Sequence, residues 1–236
     1  MKLLRRGDAF GSLGVGVPYF RAPYQFWRCF CWLLIGGLDA DEFLNGPDVP
    51  GELPIPLAHN AIVRAFLRSE RDTLLIVEDD HVFDQQIVKR MRDKAENLDF
   101  DIVCASYTTR RPPIFTVGSD FVDVNEHGEW SVRLDAGSVA QGGTQPYDCA
   151  ALGMVFIRRW ILEEMLGDAE PQDFFWFEWL GRNSQDIQFY ARVRELGGRV
   201  GVDRDNTIGH IGQKVWTMRD FYEWREGVEK TKVEAE

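Results

Sequence analysis

The central feature of the hydrophobic pattern is a run of five residues, Thr73 to Val77, in which every side chain is apolar or β-branched. The run does not alternate with polar residues and is shorter than a usual helix, so it predicts a strand covered on both faces. Ahead of it, Ile62, Ala65 and Phe66 recur at helical spacing, which predicts a helix over residues 57–69. The chain is therefore expected to enter its central strand from a covering helix.

The same alternation of helix and strand continues along the chain. Apolar Ile87 and Met91 predict a helix over residues 84–97, and residues 101–106 form a second short apolar run. Helix, strand, helix and strand in succession is typical of a parallel sheet covered by helices. The predicted fold class is therefore α/β.

Other segments extend this sheet and add antiparallel strands to it. Bulky residues almost all round segment 24–38 predict a largely buried helix that stops at two glycines. Short runs separated by Gly118-Ser119 and His127-Gly128 predict a small antiparallel portion. The further predicted elements are a first strand in 13–20, a loop over 39–53, antiparallel strands at 114–117, 121–124 and 130–134, a strand in 150–157, helices over 160–166 and 183–196, a last strand at 199–202, a turn at 208–212 and a frayed tail from 225.

Composition changes this picture little. With 236 residues and 44% hydrophobic residues, the chain can form one large α/β domain or two small ones. A net charge of −11 gives no electrostatic reason to expect general polyanion binding. The four cysteines have no CxxC spacing, which favours a reduced, cytoplasmic protein. The apolar segment 26–38 is shorter than the roughly 20 residues that cross a bilayer.

Three acidic residues, Glu78, Asp79 and Asp80, follow the central strand at once. Ligands of open α/β sheets bind beyond the carboxyl ends of the strands, which is where this cluster is expected. Carboxylates crowded at such a place are tolerated best when a cation neutralises them. The alternative is a solvated acidic turn before a helix that Asp84 caps.

Several pieces of the chain, in order, resemble the nucleotide-sugar-dependent glycosyltransferases of the GT-A fold, in particular small family-2-like enzymes, some of them encoded by phages. The resemblance spans most of the chain from about residue 54 to 212. It implies a mainly parallel, Rossmann-like sheet flanked by helices, with a small antiparallel portion. The matching pieces are residues 56–60, 74–83, 107–113, 153–159, 184–189 and 209–212.

The resemblance also implies a metal-dependent transfer mechanism. The acidic cluster looks like the family's D-x-D motif, with Glu78 in place of the usual first Asp, and Asp80 is its metal ligand. His210 resembles the family's late histidine that reaches the metal, which is Mn²⁺ or Mg²⁺. The family's late acidic pair appears here as Gln185-Asp186, so Asp186 is the only candidate for the catalytic base. As a plain first-turn Asp it would need no function, because the helix dipole stabilises it.

Further residues are implied in binding the donor and the acceptor. The donor-binding candidates are Glu78, Asp79, Asn60, Gly153 and Arg110, the last with Arg111, because guanidinium groups match phosphate oxygens. A charged loop is the alternative for the two arginines. The aromatic segment 174–180 is most simply core, but Trp176 and Trp179 are also candidates to stack on an acceptor.

The function implied is transfer of a sugar from a nucleoside-diphosphate sugar to an acceptor hydroxyl, with inversion. The whole chain is expected to form a single domain, with a donor half over 13–113, an acceptor half over 114–212 and a C-terminal helix or tail over 213–236. The acceptor stays open between a glycan, a lipid-linked sugar, a protein and hydroxymethylated DNA. Alternatives are a sugar nucleotidyltransferase and a non-catalytic carbohydrate-binding protein with the same fold; a haloacid-dehalogenase-type phosphatase fits poorly because position 78 is Glu.

Overall fold

A computed structural model gives the fold over most of the chain. It describes residues 4–18, 22–36, 42–44, 53–110, 116–134, 142–212 and 214–233. The strands are β1 (Leu13–Gly16), β2 (Glu42–Phe43), β3 (Thr73–Val77), β4 (His81–Val82), β5 (Ile102–Ser106), β6 (Gly118–Val124), β7 (Trp130–Leu134), β8 (Thr144–Tyr147), β9 (Cys149–Ala150), β10 (Met154–Arg158), β11 (Val200–Thr207), β12 (Gly209–Ile211) and β13 (Val215–Trp216). The helices are α1 (Tyr24–Gly36), α2 (Ile55–Arg68), α3 (Ile87–Asp93), α4 (Arg159–Leu166), α5 (Gln185–Glu195) and α6 (Met218–Val233), with a 3-10 helix at Ala95–Asp99.

The main sheet has seven strands among the described residues, in the order β2-β1-β3-β10-β5-β11-β8. β1 is parallel to β2 and β3, and β11 is parallel to β5. β10 runs antiparallel between β3 and β5, and β8 is antiparallel to β11 at the edge. The mainly parallel sheet is therefore confirmed, although the apolar run near residue 155 forms an antiparallel strand in the middle of it.

The central strand β3 separates two hydrophobic cores. Because successive side chains of a strand point to opposite faces, Leu74 and Ile76 pack in one core and Leu75 and Val77 in the other. The first core contains buried residues of α2, α4 and α5, and the second contains those of α1 and α3. The result is the three-layer arrangement of helices on both faces that the pattern predicted.

Two small antiparallel sheets adjoin the main one. One has the order β7-β6-β9 and confirms the predicted antiparallel portion, although β6 begins at Gly118, where a turn was expected. The other has the order β13-β12-β4. The segment 208–212, predicted as a turn, thus contains strand β12, which pairs with β4 and sets His210 opposite His81.

Three other predictions need correction. Helix α1 is not largely buried, because Trp27 and Trp32 lie on an exposed face while Phe26 and Phe30 are buried. The predicted loop 39–53 contains the short strand β2, and the predicted frayed tail forms helix α6. Among the described residues, no helix combines the length and hydropathy that crossing a bilayer requires.

Asp84 does not cap the following helix. Helix α3 begins at Ile87, because β4 and a turn intervene after the acidic cluster. The Asp84 carboxylate instead accepts the backbone N–H of Gln86 over 2.8 Å and pairs with Arg90. The acidic cluster is therefore followed by a short strand that pairs with β12.

Candidate active site

The acidic cluster leaves the carboxyl end of β3, and the two histidines of β4 and β12 converge on its last member. Nδ1 of His81 lies 2.8 Å from Oδ1 of Asp80, and Nε2 of His210 lies 3.4 Å from Oδ2. One ligand atom from each of these three residues lies within 4.8 Å of the others. The arrangement exists because the β4–β12 pairing aligns two residues that are far apart in the sequence.

The hydrogen bonds of His210 define its tautomer. Its Nδ1 lies 2.8 Å from the carbonyl oxygen of Thr108, which can only accept, so Nδ1 carries the proton. Its Nε2 accepts a hydrogen bond from Nε of Arg110 over 2.7 Å. The single lone pair of Nε2, 3.4 Å from Oδ2 of Asp80, is therefore used by Arg110. Fixing of one ring nitrogen by a backbone carbonyl is the usual way in which a metal-ligating histidine is oriented.

The charges of the cluster suit a cation. Burial opposes ionisation of Asp80, but its close contacts with His210, His81 and Arg110 outweigh burial and hold the pKa of Asp80 well below its usual range. Burial lowers the pKa of His81 and outweighs the effect of Asp80. An ionised carboxylate and neutral imidazoles are the forms that bind metals.

His81 was not identified as a candidate from the sequence, although it directly follows the acidic cluster. It is fully buried; its Nδ1 lies 2.8 Å from Oδ1 of Asp80, and its Nε2 makes no hydrogen bond. Buried polar groups without a partner are rare in folded proteins and need an explanation. One carboxylate and two imidazoles form a donor set that fits a divalent transition metal such as Mn²⁺ better than Mg²⁺, which prefers oxygen ligands.

Gly153 leaves the space that His81 occupies. A Cβ at this position would lie 2.6 Å from two ring atoms of His81 and 2.8 Å from the ring of Tyr107. The Gly153 N–H donates to the Tyr107 hydroxyl over 3.0 Å, and its carbonyl accepts the N–H of Glu78 over 2.8 Å. Gly153 thus packs beneath the cluster and ties it to β10; its predicted contact with a donor stays a prediction.

Glu78 is surrounded by other charged side chains. Burial, together with the nearby carboxylates of Asp80 and Asp186, raises the pKa of Glu78 to about 8. Its side chain is 22% exposed, and its Oε1 lies 3.6 Å from Nε2 of the fully buried His59. Burial lowers the pKa of His59 to about 4, with a small opposing contribution from Gln185. The repulsion expected among the clustered acids therefore acts on Glu78.

Asp186 is in the first turn of α5, where its Oδ1 accepts the backbone N–H of Ile187 over 3.1 Å and the hydroxyl of Ser184. It lines a cavity of about 230 Å³ together with His210. Strands β6, β7 and β9 supply much of the opposite wall, including Ser119 and Cys149. The predicted base and one predicted metal ligand thus line the same small cavity, and residues of the antiparallel sheet line it as well.

Other predicted site residues lie away from this cavity. Asn60 is fully buried; its amide nitrogen donates to the carbonyls of Pro56 and Phe177, and its oxygen accepts the N–H groups of Trp176 and Phe177. It therefore has no polar group left for a donor and instead positions the aromatic segment. Trp176 is also fully buried, with its indole N–H donating to Leu162, so it packs in the core rather than against an acceptor.

The other candidates keep accessible surface. Trp179 is largely exposed, and Asp79 is half-buried beside Asp80. Arg110 contacts both Asp80 and His210, so it is part of the cluster itself. Arg111 lies outside the described residues.

The fold resembles that of two solved proteins. The crystal structure of A197 from STIV matches with a TM-score of 0.55 and 15% sequence identity over 87% of this chain and 93% of that one. The crystal structure of GalNAc-T7 with UDP, GalNAc and Mn²⁺ matches with a TM-score of 0.54 and 11% identity over 86% of this chain. This chain covers 43% of the GalNAc-T7 chain, less than half of its length.

In sequence, no model of a known protein family matches the chain, and no curated protein matches it. At these identities, the structural matches show the fold alone. The mixed α/β architecture predicted from the sequence, that of the GT-A glycosyltransferases, is the fold of this chain.

Proposed function

We propose that this protein is a metal-dependent glycosyltransferase that moves a sugar from a nucleoside-diphosphate sugar to an acceptor hydroxyl, with inversion. The observation that carries the proposal is the convergence of Asp80, His81 and His210 beside a cavity that Asp186 also lines. This carboxylate–imidazole set lies at the carboxyl end of a parallel strand. Open α/β sheets bind their ligands at that end of their strands.

Asp80 and His210 hold the cation, and His81 is added to them as a third ligand. A bound Mn²⁺ or Mg²⁺ would supply positive charge that offsets the negative charge of the departing diphosphate. The position of His81 supports this assignment, because its Nδ1 lies 2.8 Å from Oδ1 of Asp80, close enough for both atoms to bind one cation.

Asp186 accepts the proton of the acceptor hydroxyl. Its hydrogen bonds to Ser184 and Ile187 fix the carboxylate at the cavity, so that it is oriented before the acceptor binds. The acceptor oxygen then attacks the anomeric carbon from the face opposite the diphosphate, the bond between that carbon and the diphosphate oxygen breaks, and the configuration is inverted. Glu78, Asp79, Gly153 and Arg110 remain the donor-binding candidates.

The donor class proposed first is a UDP-sugar, because UDP and Mn²⁺ are present in the GalNAc-T7 crystal. The exposed Trp179 is the remaining aromatic candidate for the acceptor. The acceptor itself is a glycan, a lipid-linked sugar, a protein or hydroxymethylated DNA. A cytoplasmic location accompanies this proposal, on the basis of the cysteine pattern.

The proposal is tested by a donor screen. UDP-, GDP- and other nucleotide sugars are incubated with the protein in Mn²⁺ or in EDTA, and donor hydrolysis and binding are measured by chromatography and calorimetry. We expect Mn²⁺-dependent binding and slow hydrolysis of one donor, and the loss of both in Asp80→Asn. Equal donor binding in EDTA would contradict the metal role. Metal-dependent binding without hydrolysis or transfer would favour a carbohydrate-binding protein, and pyrophosphate release from a nucleoside triphosphate and a sugar phosphate would favour a nucleotidyltransferase.

A further inference from the structure

The side chain of Arg110 lies between the two groups that are proposed to hold the cation. Its Nε donates to Nε2 of His210 over 2.7 Å, and its Nη2 donates to Oδ2 of Asp80. A positively charged group of this chain therefore stands where a bound cation would contact the same two residues.

The chemistry of His210 prevents the guanidinium of Arg110 and a cation from binding to it at the same time. Nδ1 of His210 donates to the carbonyl of Thr108, so Nε2 has a single in-plane lone pair. That lone pair accepts the N–H of Arg110 in the structure. It cannot bind a metal at the same time, and two positive charges would also repel each other at this distance.

The guanidinium satisfies the cluster only in part. Nε2 of the fully buried His81 has no hydrogen bond. Arg110 itself is about half exposed, with 53% of its side-chain surface accessible. It can therefore leave towards solvent without opening the core, whereas the histidines are fixed by strand pairing and by Gly153.

We propose that Arg110 is a built-in competitor of the divalent cation: its guanidinium occupies the Asp80–His210 position in the cation-free protein, and cation binding displaces it. The released guanidinium then pairs with the diphosphate of the donor, which favours the displaced state. Cation and donor therefore strengthen each other's binding, because the donor removes the competitor. This inference rests on the proposed function, since it concerns the same cation and the same donor.

The test compares the affinity for Mn²⁺ alone in wild type, Arg110→Gln and Arg219→Gln, by calorimetry and by electron paramagnetic resonance of free Mn²⁺. Arg219 is highly exposed and pairs with Glu223 on α6, so its variant reproduces the change in net charge away from the cluster. We expect Arg110→Gln to bind Mn²⁺ at least about tenfold more tightly than wild type, a difference of ~1.4 kcal/mol. Arg219→Gln should match wild type.

A second measurement adds UDP. In wild type, UDP should increase the affinity for Mn²⁺, and in Arg110→Gln this increase should be smaller. Mn²⁺ binding by the variant alone, with none by wild type, would also support the competitor role.

Unchanged or weaker Mn²⁺ binding in Arg110→Gln would overturn the inference and leave the proposed metal site standing. Absence of Mn²⁺ binding from both wild type and Arg110→Gln, with circular dichroism confirming that each is folded, would overturn the inference and the metal role together. Asp80→Asn in the same assay separates the cases, because its loss of binding shows that the site itself holds the cation.

Discussion

His81 and His210 lie opposite each other on the antiparallel strands β4 and β12, with ring centroids 4.5 Å apart and ring planes only 11° from parallel. The two imidazoles stack, and both approach the carboxylate of Asp80. Strand pairing thus fixes the relative position of the two rings. Side chains held by strands are positioned more precisely than side chains held by loops.

We predict that His81→Phe weakens Mn²⁺ binding by on the order of tenfold or more, because a ligand is lost and loss of even a residue that only orients a ligand typically costs about 10- to 100-fold. Phenylalanine preserves the stacking and the volume but has no lone pair. His127→Phe is the matched control, because His127 is exposed on the β6–β7 turn. Calorimetry with Mn²⁺ measures the effect. Wild-type affinity in His81→Phe would mean that Asp80 and His210 hold the cation without it.

Asp186→Asn is predicted to lower transfer by about 10² to 10⁴, because asparagine keeps the shape but cannot accept the acceptor proton. Donor and Mn²⁺ affinities should stay near those of wild type, which distinguishes a base from a binding residue. Asp168→Asn, at an exposed position after α4, serves as the control. The measurement is single-turnover transfer with calorimetry of the donor. Near-normal transfer, or a product that keeps the donor's anomeric configuration, would return Asp186 to a residue that only caps α5.

The sequence predicted those parts of the fold that local periodicity encodes. Strand β3 was predictable because all five of its residues are apolar or β-branched, and α2 and α5 because their apolar residues recur at helical spacing. The direction of β10 was not predictable, since an apolar run has the same pattern whether its neighbours are parallel or antiparallel. The class of fold follows from periodicity, and strand direction follows from tertiary pairing.

The candidate site shows the same division. Asp80 was found because acids after a buried strand are an unusual local pattern. His81 was missed because only the pairing of β4 with the distant β12 gives it a partner in His210. Conversely, Asn60 and Trp176 have side chains typical of binding sites but are buried in the core. There the side-chain oxygen of Asn60 accepts the backbone N–H groups of Trp176 and Phe177. Nothing in the local sequence separates a buried structural amide from one that faces a ligand.

Gly153→Ala is predicted to destabilise the fold and weaken Mn²⁺ binding. The added Cβ would lie within 2.8 Å of the rings of His81 and Tyr107, so one ring must move. Overpacking of this kind typically costs about 1–3 kcal/mol of the free energy of unfolding. Gly212→Ala is the control for the urea measurement, because the nearest atoms to its Cβ, those of Arg110 and Trp216, would be at 3.4 Å. Urea denaturation and Mn²⁺ calorimetry measure the two effects, and wild-type values for both in Gly153→Ala would show that the rings adapt freely.

The last prediction concerns the pH dependence of stability without a cation. The pKa of Glu78 is raised from 4.5 to about 8 in the fold, so the folded protein keeps a proton there that the unfolded chain has already released. The stabilisation is fully present below the unfolded pKa and is lost as the pH rises through about 8.

His59, whose pKa is lowered to about 4, works in the opposite direction, but only below about pH 6.5. Between about pH 7 and pH 9, Cys104 and Cys149, whose pKa values burial raises to about 12, also contribute, so the comparison with Glu78→Gln is what isolates Glu78. In EDTA, we expect the free energy of unfolding of wild type to fall by about 1–2 kcal/mol across this range beyond the change in Glu78→Gln, which has no carboxyl group to titrate. The exposed Glu170→Gln should follow wild type. Saturating Mn²⁺ should reduce the difference, because a cation beside Asp80 favours the ionised form of Glu78. Parallel pH profiles for wild type and Glu78→Gln in EDTA would show that the crowding of carboxylates around Glu78 does not affect stability.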